Sequence, residues 1–123
     1  MSENKRPPGW PPGVPPPGAD GWRERAVAFL FDVAPAEFRA EPFYRRQPVV
    51  LAWRVGGVIE AQLDAARVAY SQARADLRED VTPEVVSETL QALEREGAGL
   101  LARRREVDLL ARALRGETFA PRL

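Results

Sequence analysis

The chain contains no cysteine and no histidine, and Lys5 is its only lysine. Without cysteine there is no disulfide framework and no thiolate for redox or nucleophilic chemistry. Without histidine, the commonest metal ligand and the commonest general base are both missing. A Ser–Lys pair is not available to Ser71 or Ser87 either, because Lys5 lies in the N-terminal tail. Long apolar runs are lacking as well. Met1–Gly21 has no apolar core of the signal-peptide kind, and no stretch reaches the roughly 20 residues that span a bilayer. No membrane association is therefore expected, and the cytoplasm is the expected location. Nor is there charge of one sign: 18 basic residues balance 18 acidic ones. Whole-molecule attraction to nucleic acid or anionic lipid is not expected. The use of arginine for every base but Lys5 reads as codon usage rather than chemistry.

What is present is a helical pattern. From Pro48 the apolar positions run Val49, Ala52, Gly56, Ile59, Leu63, Ala66, Tyr70, Ala73, Leu77, with steps alternating three and four. From Pro83 they run Val86, Leu90, Leu93, Gly97, Leu100, Arg104, Val107, Ala111, Leu114 in the same rhythm, and Arg104 alone is not apolar or glycine. A sustained 3.5-residue period is the seam of a left-handed coiled coil. Between the two runs, Thr82-Pro83-Glu84 is a helix start: a capping hydroxyl, a proline suited to the first helical position, and an acid at the positive end of the dipole. Val81 and Val86 have the spacing of a hydrophobic staple across that cap.

These signals predict an antiparallel two-helix coiled-coil hairpin, about 48–79 and 83–115, ending at Gly116. Folding at the turn sets Leu77 against Val86, Ala73 against Leu90, Tyr70 against Leu93, Ala66 against Gly97 and Leu63 against Leu100. Flanking ion pairs are expected between Glu60 and Arg103 and between Arg67 and Glu96, while the guanidinium of Arg104 in the seam is expected to snorkel or to pair with Glu60. Gly56, Gly57, Gly97 and Gly99 interrupt helices at about 1 kcal/mol each relative to alanine. Tight helix–helix approach, or a bend, is the expected reason for them.

The remainder is expected to pack on the open end of this hairpin. Residues 1–20 are a Pro/Gly-rich arm with Pro-Pro-Gly at 7–9, 11–13 and 16–18. That spacing lacks the strict triplet of collagen and suggests polyproline II or an irregular extended arm, with Trp10 and Val14 as anchors or as a ligand motif for a groove elsewhere. Residues 21–123 form a single helical domain. It comprises a short helix at 21–33 capped by Asp20, a connection at 34–47 with one more helical turn near Ala36–Ala40, the hairpin at 48–116, and a tail at 117–123. Leu51, Trp53, Val55, Val58, Leu101, Leu109, Leu110 and Ala113 are apolar residues off the seam, all near the open end. They mark where Phe29, Phe31, Phe38, Phe43 and Tyr44 must settle, and Phe119 and Leu123 could dock there too. The half nearer the turn is thinner and invites a second copy or a partner.

No catalytic, cofactor or metal residues are assigned. The carboxylates of the hairpin (Glu60, Asp64, Asp76, Glu88, Glu94, Glu96) fall off the seam and lack the histidines of a di-metal bundle. Arg103, Arg104 and Arg105 with Trp10 are the candidate partner or anion contacts. Helical spacing sends the three arginines to different sides, and acids lie close by. The functional expectation is a non-enzymatic helical protein–protein interaction or oligomerisation module. The alternative is a nucleic-acid-associated or regulatory accessory that uses the basal arginines.

Overall fold

The structure, a computed structural model, describes residues 6–119. Among them there is no strand. The elements are α1 (Trp22–Val33), a 3-10 turn (Ala36–Ala40), α2 (Pro42–Arg46), α3 (Pro48–Leu77) and α4 (Pro83–Leu114), and the two long helices pack against each other along their length.

The turn between them forms as its residues dictate. Thr82 is the N-cap of α4, and its hydroxyl oxygen accepts the Val85 N–H at 3.3 Å. Pro83 and Glu84 occupy the first turn. Val81 packs on Val86, Leu90 and Ala73, with Leu77 beside them, so the staple and the two seam pairs nearest the turn share one small cluster. At its other end α4 stops at Gly116, whose φ of 97° is open to glycine at little strain. Its N–H donates to Ala113 O and the Glu117 N–H donates to Arg112 O, the paired bonds of a Schellman stop.

Most of the apolar burial lies at the open end. Leu30, Leu51, Val55, Ile59 and Leu110 are at most 1 % exposed, and Phe31, Phe38, Leu63, Val107 and Leu114 join them in one core. Helix α1 lies across both long helices there. Its start differs from expectation: Asp20 does not cap it. Gly21 is the N-cap with a left-handed φ of 74°, and no side chain accepts the free N–H groups. The 34–47 connection holds a helix that the sequence pattern did not announce, α2, where the Glu41 carboxylate caps Phe43 N–H at 3.1 Å.

Over its described residues, 6–20, the N-terminal arm is not extended. Trp10 N–H donates to Pro7 O, Val14 N–H to Pro11 O and Ala19 N–H to Pro16 O. Each Pro-Pro-Gly is thus the body of a β-turn, with its second proline at the second position and its glycine at the third. Gly9 and Gly18 have φ of 91° and 89°, the positive value a type II turn requires there. Three successive turns coil the arm onto the body and deliver Trp10, Pro11, Val14 and Pro17 into burial.

Arginine has a structural use that its frequency concealed. Six guanidinium groups lie over five aromatic rings in the pairs Arg23–Trp22, Arg39–Phe31, Arg45–Phe31, Arg54–Phe38, Arg103–Phe29 and Arg112–Phe119, at 4.8–5.8 Å from the centroids. A planar delocalised cation stacks in this way better than an ammonium.

Candidate functional site

Of the sequence-derived contact residues, Trp10 is spent on the core. It is 6 % exposed, its indole N–H donates to Val14 O (2.9 Å) and Pro15 O (3.3 Å), and its ring meets Trp22 and Phe119. A buried, hydrogen-bonded anchor is not presented to a partner. The three arginines separate as helical spacing requires. Arg103 covers Phe29 and approaches Glu106 at 3.7 Å. Arg104, the polar residue of the seam, reaches out to Glu60 at 2.9 Å, so Glu60 pairs with Arg104 and not with Arg103. Arg67 bonds Asp64 on its own helix, not Glu96. Arg105 lays its stem over Gly9 of the arm.

The seam residues Ile59, Leu63, Val86 and Val107 are buried, and Leu77, Leu93 and Leu100 are half-buried. Tyr70 is 39 % exposed. Its phenol is too long for a seam facing Leu93 and runs outward, where the hydroxyl donates to Glu94 Oε1 at 3.1 Å. That bond to a carboxylate raises the Tyr70 pKa above its ordinary value.

The glycines overturn the packing expectation. A Cβ built on Gly56, Gly57, Gly97 or Gly99 meets nothing within 4 Å. They do not admit a neighbouring backbone. They leave space.

At Gly56, Gly57 and Gly97 that space belongs to a surface feature the sequence pattern did not announce. Between α3 and α4 runs a groove of about 860 Å³. Trp53, Gly57 and Glu60 form one wall, and Leu101, Arg105, Asp108 and Arg115 the other. Ala52, Gly56, Val107 and Ala111 make the floor. No described residue before Ala52 lines it, and the arm only borders it, where Gly9, Trp10 and Pro12 share a dent with Leu101 and Arg105 of its wall. A shallower continuation between Tyr70 and Gly97 shares Leu101 with it, and a third dent at Arg74, Arg78 and Ser87 reaches the turn.

The alignment of these dents follows from spacing. Trp53, Glu60, Arg67 and Arg74 are seven apart, as are Ser87, Glu94, Leu101, Asp108 and Arg115. Where the seam repeats every 3.5 residues, a row at intervals of seven keeps to one side of its helix. All nine residues line one of the three dents. From Trp53 to Arg74 the face is about 32 Å long at ~1.5 Å per residue.

Two properties distinguish this face. Trp53 is 71 % exposed, the most exposed large apolar side chain among the described residues. Covering a tryptophan so exposed is worth roughly 3 kcal/mol. The face is also basic in a chain that is neutral overall. Arg54, Arg67, Arg74, Arg78, Arg104, Arg105 and Arg115 line it, against Glu60, Glu94 and Asp108, with Asp64 beside Arg67. Arg104 and Arg67 are paired within the molecule, and Asp108 lies 3.8 Å from Arg112. Arg112 also holds Glu117, whose carboxyl is thereby kept below the ordinary carboxylate range. Among the described residues no carboxylate lies in ion-pair range of Arg74, Arg78, Arg105 or Arg115.

No group of three or more carboxylates poised to share a metal ion occurs among the described residues, and no described helix is long and apolar enough to cross a membrane. Comparison with protein families, with curated proteins and with solved structures finds no match to this chain.

Proposed function

We propose that this protein is a non-enzymatic helical interaction module, binding a protein partner or a second copy of itself along the uncovered side of the α3–α4 hairpin. The observation that carries this reading is Trp53, held 71 % exposed on the wall of an open groove. A large aromatic ring beside a concave, partly apolar surface is the usual form of a binding hot spot. The helical hairpin supplies rigidity, and the core at its open end supports it, so the face is preorganised. The cytoplasm is the proposed location.

The test is light scattering after size exclusion, with affinity capture from the host, on the whole chain and on Trp53→Ala. Because the side chain is exposed, the variant should keep its helical circular dichroism and thermal midpoint. Loss of self-association or of a captured protein in the variant supports the reading. A strict monomer that retains nothing, or retention unaltered in Trp53→Ala, refutes it.

A second reading, nucleic-acid association through the basal arginines, draws on Arg105 and Arg115. Arg103 and Arg104 are already engaged with Glu106 and Glu60, which leaves fewer charges to neutralise phosphates. It requires salt-sensitive binding to DNA or RNA that Arg105→Glu weakens.

A further inference from the structure

We infer that the groove is the seat of a third helix, supplied by a partner protein, whose apolar stripe is flanked by aspartate and glutamate. This rests on the interaction-module reading and specifies its partner. Among the described residues the hairpin has one side against its own N-terminal half and one side that this half does not cover, and an added helix on that side completes a three-helix bundle. The face is as long as a helix of about 21 residues. Its relief suits helical knobs: Gly57 and Gly97 open steps beside Trp53 and Leu101, and a Cβ at either glycine meets nothing within 4 Å.

Charge selects among occupants. Among the described residues, arginines of this face that lie outside any ion pair stand toward both ends, Arg105 and Arg115 at the base and Arg74 and Arg78 near the turn. A partner helix acidic toward both ends, and apolar where it passes Leu101 and Tyr70, complements that pattern. A second copy laid face to face matches it less well, because either orientation sets the arginines at one end against those at an end of the other copy. Of the described acids that line the dents, Glu60 and Asp108 already face Arg104 and Arg112 and Glu94 accepts from the Tyr70 hydroxyl, while Asp76, Glu79, Glu88 and Glu96 line none of them.

The experiment uses the full chain and three fluorescent probes. Two are synthetic helical peptides of about 21 residues sharing one Leu/Ala stripe, flanked by Glu in one and by Lys in the other. The third is a single-stranded DNA oligonucleotide. Anisotropy titrations are run at low and high salt. The Glu-flanked peptide should bind, at least about tenfold more tightly than the Lys-flanked one and more weakly as salt rises. Trp53→Ala and Gly57→Leu should each weaken it about tenfold or more with circular dichroism unchanged. Arg74→Glu with Arg115→Glu should reverse the preference toward the Lys-flanked peptide, a result no loss of fold can produce.

Failure of the Glu-flanked peptide to bind, equal binding of both peptides, or indifference to Trp53→Ala overturns the proposal. Tighter binding of the oligonucleotide than of the Glu-flanked peptide also overturns it, in favour of nucleic acid. A chain that ignores the peptides yet retains a host protein or a second copy through Trp53 overturns the acidic helix alone. A chain that retains nothing in any arm removes both this proposal and the reading beneath it.

Discussion

Replacing glycine by alanine should move this protein in opposite directions at different sites, with the sign set by the backbone. Gly57 and Gly99 are exposed, lie inside α3 and α4, and have φ outside the left-handed region. An alanine Cβ at either meets no atom within 4 Å. Nothing opposes the helix-propensity difference of about 1 kcal/mol per site, part of which comes from the stiffer unfolded chain. The sites are on different helices, so the double variant should gain close to 2 kcal/mol. For a chain of this size that corresponds to a rise of roughly 6–10 °C in thermal midpoint, or about 1 M in urea midpoint. Gly116→Ala should do the reverse, losing about 1 kcal/mol, because its φ of 97° is strained for any residue with a Cβ. Circular dichroism melts and urea titrations of the three variants decide the matter. No gain in the double variant would refute the finding that these helix interiors have room. Binding separates the two stabilised sites. Gly57 lines the groove and Gly99 does not, so filling Gly57 should weaken partner binding while Gly99→Ala leaves it intact.

Three further outcomes are expected. Trp10→Ala should cost about 3–5 kcal/mol, as for a buried tryptophan, and lower the thermal midpoint to match; a loss under 1 kcal/mol would mean the arm is not docked. Arg54→Lys should remove stacking on Phe38 and the 3.3 Å bond to the Tyr44 hydroxyl, lowering urea stability by roughly 0.5–1 kcal/mol, whereas a neutral result would assign arginine usage to coding alone. Glu94 raises the Tyr70 pKa above 10.0, so the protonated phenol is favoured in the folded state. Whatever this bond adds is present below the unfolded pKa and lost as pH rises through the folded one. In a Tyr44→Phe background, phenolate absorbance should titrate at lower pH in Glu94→Gln, and an unmoved midpoint would show that the hydroxyl does not reach Glu94.

The hairpin was legible because three independent signals converge on it: the 3.5-residue seam, the Thr82-Pro83-Glu84 start and the Gly116 stop. The start and the stop form as their residues dictate, and the two long helices pack together, although Val49 and Tyr70 of the seam are exposed. The arm was misread because Pro-Pro-Gly supports both polyproline II and a β-turn, and only burial of Trp10 and Val14 selects the turn. The ion pairs changed partner, Glu60 meeting Arg104 and Arg67 meeting Asp64 on its own helix, since a long guanidinium has several carboxylates in reach and sequence spacing does not choose among them. Asp20 failed as a cap because Gly21 turns left-handed first.

The groove was missed for a different reason: attention to the seam discards the residues beside it. The rows at intervals of seven through Trp53 and Leu101 are as regular as the seam, but they mix tryptophan, arginine, carboxylate and leucine, so no apolar period exposes them. Their meaning appears only when the N-terminal half is seen to cover one side of the hairpin and not the other. The glycines fit the same division. A chain selected for stability alone would carry alanine at Gly56, Gly57 and Gly97, where the space is open and the helix would gain. The large core around Leu30, Leu51 and Leu110 holds the open end firmly enough for the hairpin to tolerate that loss along its free side. Stability concentrated at the base and relief left in the groove are the two halves of one design, and they predict that alanine at these glycines strengthens the fold and weakens binding of the proposed partner.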